Sequence, residues 1–311
     1  MSDKNDYELI IIGAGPAGAA ASIYAARKKL DTLLLSETFG GQSTVSPSIE
    51  NWVGTKSISG TDFAKQLEDH VRVYEDGTLD IQEGARASDL TQDGEEFVLE
   101  TTKGTYRAEA VLITTGAHRR QLKIPGAAEF ENKGVVYCAS CDGPLFADKD
   151  VVVIGGGNAG FETAAQLLAY TKSVTLLQHS DQFNAEEVTV DKVLSHKNMT
   201  AHLNAEPEEI KGDAFTETLV YKDLETDEEH EIPAEGVFVE IGLVPNTAYA
   251  ADILETNQIN QLVVDPHRQR SSVEGIWAAG DCTDGLYHQN NIAAGDAVKA
   301  VEDIYLWLKT N

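Results

Sequence analysis

One pattern of apolar and polar positions occurs twice along the chain. The two copies read ELIIIGAGPAGAAASIYAARKKLDTLLL from Glu8 and DVVVIGGGNAGFETAAQLLAYTKSVTLL from Asp150, and they align without a gap. Each has a short apolar run, a glycine-rich turn, a helical pattern and a second apolar run. Short apolar runs bounded by turn residues are typical of buried strands. Each copy therefore predicts a strand–helix–strand unit, and the repeat predicts an α/β protein with two similar domains.

The pattern between and after the two copies predicts the remaining elements. Residues 61–75 have the spacing of an amphipathic helix, and EFVLETTKGTYRAEAVLITTG from Glu96 predicts a hairpin followed by a further strand. Residues 118–135 predict a connector, and the acidic stretch at residues 200–241 is rich in strand-forming residues. The tail from Gly285 has a helical pattern. A length of 311 residues also fits two domains.

Each copy carries the motif G-x-G-x-x-G between its first strand and its helix, which is the context that a dinucleotide site requires. The first glycine permits a tight turn, the second lets the backbone approach a pyrophosphate, and the third lets the helix pack closely on the strand. The pyrophosphate then lies at the helix N-terminus. A simple glycine-rich turn is the alternative. The motif glycines are Gly13, Gly15 and Gly18 in the first copy and Gly155, Gly157 and Gly160 in the second.

The second strand of such a unit should end with a carboxylate that binds the ribose hydroxyls. The first copy offers Glu37 at this place. The second copy ends LLQHSDQF and has no acidic residue at the matching position, so Gln178 is the candidate for the ribose. No arginine follows that could bind a 2′-phosphate, and His179 is the nearest substitute.

Composition and charge narrow the range of partners. The chain has 51 acidic and 24 basic residues, a formal net charge of −27, which disfavours nucleic acid and anionic membrane surfaces. No apolar run is long enough to span a membrane, and the polar start MSDKNDYEL lacks the regions of a signal peptide, so a cytoplasmic protein is expected. Three cysteines are too few for a disulfide scaffold or for a zinc site made of four cysteines, and no metal is expected.

Several motifs together resemble the low-molecular-weight thioredoxin reductases, which are FAD-dependent pyridine nucleotide-disulfide oxidoreductases, and also the flavoprotein component of alkyl hydroperoxide reductase. The resemblance covers the whole chain. The motifs are, in order, GAGPAG at 13–18, GGQ at 40–42, ENWVG at 50–54, TTGAHRR at 114–120, IPG at 124–126, CASCDG at 138–143, GGGNAG at 155–160, GLVPN at 242–246 and AAGDC at 278–282.

The resemblance implies an α/β fold with two Rossmann-like, three-layer dinucleotide-binding domains, the second inserted into the first. Residues 1–116 and 246–311 would form the FAD domain, and residues 117–245 would form the pyridine-nucleotide domain with the redox cysteines. Members of the family are homodimers. The peroxide-linked relatives have an additional N-terminal redox module before the FAD fold, so the start of this sequence favours a stand-alone thioredoxin reductase.

The resemblance also assigns cofactor residues within the matching motifs. Gln42 and Asn51 would lie near the flavin ring, Asp281 would bind the ribitol, and the backbone of Gln289 would contact the pyrimidine end of the ring. The full set of residues expected at FAD is Gly13, Gly15, Ala17, Gly18, Glu37, Gly41, Gln42, Asn51, Thr115, Gly116, Asp281 and Gln289. The set expected at the pyridine nucleotide is Gly155, Gly157, Asn158, Gly160 and Gln178.

The two cysteines of CASCD predict thiol–disulfide chemistry independently of the resemblance. A C-x-x-C pair lowers the pKa of one thiol, and thiolate attack on a disulfide proceeds through a mixed disulfide that the second cysteine resolves. Half of a zinc site is the alternative, but it would need a second pair. The resemblance implies that Cys141 faces the flavin and that Cys138 attacks the substrate disulfide. Asp142 is then the candidate general acid, or else a helix cap. Cys282 has no partner nearby in the sequence and is expected to be a buried, inert thiol.

One motif departs from the family pattern. Members that use NADPH carry a His-Arg-Arg run and a further arginine after the second unit, and this chain has His179, Ser180 and Asn184 in place of the arginines, with Asp181 adding negative charge. NADH, NADPH and another donor such as ferredoxin therefore remain open. The expected acceptor is thioredoxin or a similar small protein disulfide. A flavin-binding redox sensor that no longer turns over is the alternative from a different class.

Overall fold

The computed structural model describes residues 4–46, 48–75 and 77–310, and the side chain of Cys141 lies outside this description. The chain forms two compact units. One comprises Met1–His118 together with Val244–Asn311, and the other comprises Arg119–Leu243. The second unit is thus inserted into the first, with divisions within two residues of the predicted ones, and the assignment of the units to FAD and to a pyridine nucleotide stays a prediction.

The helices and strands are named here in chain order. The strands are β1 (Asp6–Ala14), β2 (Thr32–Phe39), β3 (Leu79–Glu83), β4 (Ala87–Asp93), β5 (Glu96–Thr101), β6 (Gly104–Ile113), β7 (Ala117–Arg119), β8 (Val135–Val136), β9 (Asp150–Ile154), β10 (Ser173–Leu177), β11 (Met199–His202), β12 (Ala205–Gly212), β13 (Thr216–Asp223), β14 (Glu229–Pro233), β15 (Gly236–Val239), β16 (Leu243–Pro245) and β17 (Ile276–Ala278). The α-helices are α1 (Pro16–Arg27), α2 (Gly60–Arg72), α3 (Ala139–Asp142), α4 (Asn158–Leu167), α5 (Glu187–Leu194) and α6 (Asn290–Thr310). Short 3-10 helices cover Gly41–Val45, Gly143–Phe146 and Ala248–Ala250.

The discontinuous unit is built on a seven-stranded sheet in the order β3-β2-β1-β6-β5-β4, with β17 also pairing with β6. Strands β3, β2, β1, β6 and β17 run parallel, and β5 and β4 continue the sheet in antiparallel pairs. Parallel strands require crossover connections, and α1 supplies the one between β1 and β2. The carboxyl ends of β1, β6 and β17 therefore lie at one edge of the sheet.

Both faces of this sheet are buried, which explains the uninterrupted apolar run in β1. Leu9 and Ile11 pack in a core with helices α1 and α6, whereas Ile10 and Ile12 pack in a second core on the opposite face. Successive side chains of a strand point to opposite faces, so a strand that is covered on both faces needs an apolar residue at every position.

The inserted unit has a five-stranded parallel sheet in the order β11-β10-β9-β15-β8 and a three-stranded antiparallel sheet β12-β13-β14. Val151 and Val153 of β9 pack with residues of helix α4, and Val152 packs on the other face with residues of the antiparallel sheet. This unit therefore has three layers: helix, parallel sheet and antiparallel sheet. Strand β16 pairs with β7 in a separate two-stranded sheet.

The predicted fold class is confirmed. Each of the two Rossmann-like units contains parallel strands whose two faces are both buried. The predicted hairpin corresponds to β5 and β6. The helical tail begins at Asn290 rather than Gly285. Just before the helix, the side chain of Gln289 accepts a hydrogen bond from the side chain of Asn51. Among the described residues, no helix is both long and apolar enough to cross a membrane.

Candidate functional site

A cavity of about 820 Å³ opens in the discontinuous unit at the carboxyl edge of its parallel strands. Ligands of open α/β sheets bind at this edge. Nine of the residues predicted for FAD line the cavity: Gly13, Gly15, Ala17, Glu37, Gly41, Gln42, Thr115, Gly116 and Asp281. The volume lies within the range of cofactor sites. The first glycine motif therefore opens into a cavity of suitable size.

The glycines of the first motif have different steric roles. Gly13 has φ +106°, and a Cβ atom there would lie 2.5 Å from the carbonyl oxygen of Thr114. A Cβ atom on Gly18 would lie 1.7 Å from the carbonyl oxygen of Gly13, so α1 can pack this closely on β1 only with glycine. Gly15 is different, because a Cβ atom there would meet nothing within 4 Å. It lines the cavity, and its lack of a side chain leaves room for a bound group.

Residues around the first motif keep its loop in place. The Thr114 hydroxyl donates to the carbonyl oxygens of Ile12 and Gly13, both at 2.9 Å. The backbone N–H of Ala14 donates to the Ser36 hydroxyl at 3.1 Å, and Ser36 donates in turn to the carbonyl of Thr38 at 2.8 Å. These bonds connect the loop to the ends of β6 and β2. Sequence reasoning missed both residues, although each directly follows or ends a predicted strand.

At the end of β2, Glu37 lines the cavity, and it has a partner that the sequence did not indicate. Arg86 donates from Nε to a carboxylate oxygen of Glu37 at 2.7 Å, and it also lines the cavity. The pair holds the Glu37 carboxylate at the cavity wall. Both side chains remain well exposed, so the ion pair contributes little to folding stability.

Two other residues predicted near the flavin contact each other. Asn51 donates from Nδ2 to the side-chain oxygen of Gln289 at 3.1 Å, and its carbonyl oxygen accepts from Asn291 at 2.8 Å. The ENWVG loop is thereby tied to the segment before α6. Neither Asn51 nor Gln289 lines the cavity described above, and their contact with a flavin stays a prediction.

The second glycine motif repeats the backbone geometry of the first. A Cβ atom on Gly160 would lie 1.8 Å from the carbonyl oxygen of Gly155, which matches the Gly18–Gly13 contact. Gly155 has φ +116°, and a Cβ atom there would lie 2.3 Å from the carbonyl oxygen of Glu240. Helix α4 therefore begins at the carboxyl end of β9 in the same manner as α1 at β1, and its N-terminus can accept a phosphate.

The segment after β10 is bound to this second loop. The side-chain oxygen of Gln178 accepts from the Gly156 N–H at 2.9 Å, while its side-chain nitrogen donates to the Ser180 hydroxyl at 2.5 Å and to the Gln182 carbonyl at 3.0 Å. The Gln178 side chain is thus buried and committed to its own loop, and its contact with a ribose stays a prediction. Asn158 likewise accepts from the Glu186 N–H at 2.9 Å.

Glu240, which sequence reasoning did not single out, lies at the carboxyl end of β15 beside Gly155. Its carboxylate accepts from the Thr163 hydroxyl of α4 at 2.8 Å. Burial raises the pKa of the Glu240 carboxyl, and the Thr163 hydrogen bond and the charge of Arg119 oppose that rise. The burial of Glu240 could not be predicted from the sequence, because nothing in the apolar stretch VFVEIG indicates that this carboxyl is buried.

The redox motif forms a single helical turn in the inserted unit. Cys138 is the N-cap of α3 and is disulfide-bonded. The backbone of Cys141 belongs to α3, and the predicted roles of its side chain lie outside the described residues. Asp142 ends the helix, and its N–H donates to the carbonyl of Cys138 at 3.0 Å.

Burial raises the pKa of the Asp142 carboxyl, and the nearby charge of Arg119 partly offsets this rise. A carboxyl with a raised pKa is suited to donating a proton.

The remaining cysteine and the histidines have other surroundings. Cys282 is a buried free thiol whose Sγ lies 3.4 Å from the carbonyl oxygen of Ala279, and burial raises its pKa to about 12. This agrees with the predicted inert thiol, since thiolate formation is needed for reactivity.

His118 contacts the Asn246 side chain at 2.9 Å, and His179 is exposed. Within the described part of the chain, no group of three or more potential ligands could hold a metal ion.

Comparison with known proteins places this geometry in a family. The family model for pyridine nucleotide-disulphide oxidoreductases matches residues 7–297. Among solved structures, the chain is similar to thioredoxin reductase from Giardia duodenalis, with a TM-score of 0.93, 29% identity, and coverage of 99% of this chain and 100% of that one.

Two longer curated relatives are also similar. A Bacillus subtilis protein named NADH dehydrogenase is 40% identical over 312 residues, covering 100% of this chain and 60% of the relative. An Escherichia coli component of alkyl hydroperoxide reductase is 39% identical over 302 residues, covering 96% of this chain and 58% of the relative. The chain thus spans about three fifths of the length of these curated relatives.

The steric role of Gly18 gives a first prediction. Gly18→Ala should displace α1 from the Gly13 carbonyl and lower the affinity for FAD at least tenfold, because the added Cβ atom cannot be accommodated at 1.7 Å. Flavin retention after gel filtration and the dissociation constant for added FAD would measure this. Gly295→Ala in α6 is the matched control, since a Cβ atom there meets nothing within 4 Å. Wild-type FAD affinity in Gly18→Ala would contradict the prediction.

Proposed function

The chain belongs to the pyridine nucleotide-disulphide oxidoreductase family, and from that premise we propose that it passes electrons to thioredoxin or a similar small protein disulfide. It is an FAD-dependent disulfide oxidoreductase with a thioredoxin reductase-like fold. The observation that carries the proposal is the disulfide-bonded Cys138, one helical turn from a half-buried carboxyl, in the unit that bears the second glycine motif.

The partner of Cys138 in this proposal is Cys141. The chain has three cysteines, and Cys282 is a buried free thiol. A disulfide between Cys138 and Cys141 joins two residues of one helical turn. Such a bond between neighbours is reversible by thiol–disulfide exchange, whereas a structural bond would connect distant parts of the chain.

The discontinuous unit is proposed to hold FAD and the inserted unit the pyridine nucleotide. Gly15 and the N-terminus of α1 would accept the FAD pyrophosphate, Glu37 would bind the adenosine ribose, and Asp281 would bind the ribitol. FAD, when bound, supplies a carrier of two electrons between the donor and the disulfide. Gly157 and the N-terminus of α4 would accept the pyrophosphate of the pyridine nucleotide.

The exchange with the acceptor follows from the chemistry of paired thiols. In the reduced protein, the Cys138 thiolate attacks a sulfur of the acceptor disulfide, forming a mixed disulfide and releasing one acceptor thiolate. Asp142 donates a proton to a departing thiolate. The Cys141 thiolate then attacks Cys138, which releases the second acceptor sulfur and re-forms the Cys138–Cys141 disulfide. Two electrons have passed to the acceptor, and the protein is oxidised.

The choice of donor depends on the loop after β10. Residues 178–186 include neither lysine nor arginine, and Asp181 and Glu186 add negative charge. A 2′-phosphate would have no cation to pair with in this segment, so NADH is the proposed donor. The name NADH dehydrogenase of the Bacillus subtilis relative supports the same nucleotide. Ferredoxin remains the alternative donor, and the homodimer and the cytoplasmic location stay predictions.

A redox sensor is the second candidate function. It would bind flavin and respond to its redox state without passing electrons to any protein disulfide. The Cys138 disulfide beside Asp142 favours turnover, because a binding module has no need for a paired thiol with a proton donor. Turnover with a small protein disulfide distinguishes the two.

Replacement of either redox cysteine tests the electron path. Cys138→Ser and Cys141→Ser should each lower disulfide reduction below detection while FAD stays bound, because each removes one sulfur of the exchange. The measurements are thioredoxin-coupled turnover and the flavin absorbance of the purified variants. Cys282→Ala, which removes the buried free thiol, should keep turnover. Loss of FAD from either serine variant, or activity retained in one of them, would count against the assignment.

The raised pKa of Asp142 gives a prediction with two readouts. Asp142→Asn should lower turnover about 100-fold, since a positioned general acid contributes roughly 10²–10⁴-fold. Its free energy of unfolding should not fall at neutral pH, because burial disfavours the charged carboxyl in the folded state. The wild type should lose stability relative to the variant as the pH rises from the ordinary carboxyl range through the raised pKa.

Urea unfolding over a pH series would measure the stability of these two proteins. Asp148→Asn removes an exposed carboxyl six residues away and should change neither readout. Unchanged turnover in Asp142→Asn would remove its role as an acid.

Anaerobic reduction of the flavin tests the donor. NADH should bleach the flavin of the wild type at lower concentration than NADPH. Asn184→Arg should lower the dissociation constant for NADPH about tenfold relative to NADH, because a charge-assisted bond to phosphate is worth roughly 1.5–3 kcal/mol. Thr226→Arg, which adds the same charge elsewhere in the unit, is the control. Bleaching by reduced ferredoxin alone would overturn the role of pyridine nucleotide.

A further inference from the structure

We propose that Gln166 is a positioning residue for the redox pair, and that by holding helix α3 against α4 it sets the reduction potential of the disulfide. The inference rests on the proposed function, because it takes the Cys138–Cys141 disulfide as the bond that exchanges electrons. Gln166 lies outside the two glycine motifs and outside the C-x-x-C motif.

Gln166 binds the two residues that separate the cysteines. Its amide nitrogen donates to the carbonyl oxygen of Ala139 at 3.1 Å, and its amide oxygen accepts from the Ser140 hydroxyl at 3.1 Å. Ala139 and Ser140 are the two middle residues of the C-x-x-C motif. A single side chain therefore fixes both residues of the segment whose conformation brings the sulfur atoms together.

The helix that presents Gln166 is firmly packed. Phe161, Ala164 and Leu167 of α4 are fully buried in the core of the inserted unit. Just after α4, the hydroxyl of Tyr170 lies against Gly143, where a Cβ atom would come within 2.1 Å of it. The end of α4 and the residues after it therefore contact the redox turn in two ways. Gln166 makes hydrogen bonds to it, and Tyr170 packs against Gly143.

The redox turn has little rigidity of its own. Helix α3 has four residues, and its backbone bonds include Asp142 N–H to the Cys138 carbonyl and Gly143 N–H to the Ala139 carbonyl. An isolated helix of one turn is unfavourable, because few hydrogen bonds offset the entropy of fixing its dihedral angles. The turn is therefore held by external contacts, which are the two bonds from Gln166 and the packing of the buried Ala139 side chain.

This order matters differently in the two redox states. The disulfide closes a small ring and restrains the turn covalently. The dithiol has no such ring, so the bonds from Gln166 restrain it more. Loss of these bonds frees the dithiol more than the disulfide, and closing the ring then costs more conformational entropy. The disulfide becomes easier to reduce, and its reduction potential becomes less negative.

Gln166→Met is the variant that tests this, since methionine has similar length and apolar stem but cannot make either hydrogen bond. The flavin-loaded protein is equilibrated with glutathione buffers, and the thiols of residues 138 and 141 are counted by alkylation and mass spectrometry. We expect the equilibrium to shift about threefold to tenfold towards the dithiol, which is about 15–30 mV. Ser140→Ala, which removes one of the two bonds, should give a smaller shift in the same direction.

The matched control is Gln182→Met, the same substitution at an exposed position in the same unit. Melting temperature and flavin absorbance verify that each variant is folded. An unchanged equilibrium in folded Gln166→Met, or an equal shift in Gln182→Met, would overturn the inference and leave the proposed function standing. A wild-type pair that dithiothreitol cannot reduce and oxidised glutathione cannot re-form would instead overturn the proposed function together with the inference.

Discussion

Both nucleotide-type units depend on one steric contact, the approach of a helical glycine to the carbonyl oxygen of the first glycine in the preceding loop. Gly18 meets the Gly13 carbonyl in this way, and Gly160 meets the Gly155 carbonyl. The contact fixes the start of the helix at the carboxyl end of the strand, where its free N–H groups can accept a phosphate. The apolar runs on either side then bury both faces of each sheet. The same backbone solution is thus used twice in one chain.

After this shared contact, the two units differ in what surrounds the loop. In the discontinuous unit, Gly15 lines a cavity of about 820 Å³, and Glu37 stands at its wall with Arg86 as a partner. In the inserted unit, the loop is bonded to the segment after β10 through Gln178. The first loop is arranged to hold one ligand at many points. The segment bonded to the second loop, residues 178–186, contains no lysine or arginine and carries the carboxylates of Asp181 and Glu186.

The sequence was sufficient for features that depend on local pattern. The alternation of Leu9, Ile10, Ile11 and Ile12 between two cores makes β1 uniformly apolar, and such a run is readable without a structure. The glycine motifs and the C-x-x-C pair are equally local. Arg86 and Gln166 could not be predicted, because Arg86 reaches Glu37 across 49 positions and Gln166 reaches Ser140 across 26. Polar residues acquire such roles only through tertiary placement, and many exposed residues of the same types have none.

Arg119 connects two carboxyls of the inserted unit whose pKa is raised by burial. Its charge opposes the rise in pKa of Asp142 and also that of Glu240. One cation therefore acts on both the redox turn and the carboxyl end of β15 beside the second glycine loop. The redox turn and the edge of the second glycine loop therefore share one cation, while the bonds from Gln166 reach the same turn without a charge. The proposed roles of Asp142 and Gln166 therefore rest on different interactions at one turn, the electrostatics of a buried carboxyl and two hydrogen bonds of a neutral side chain.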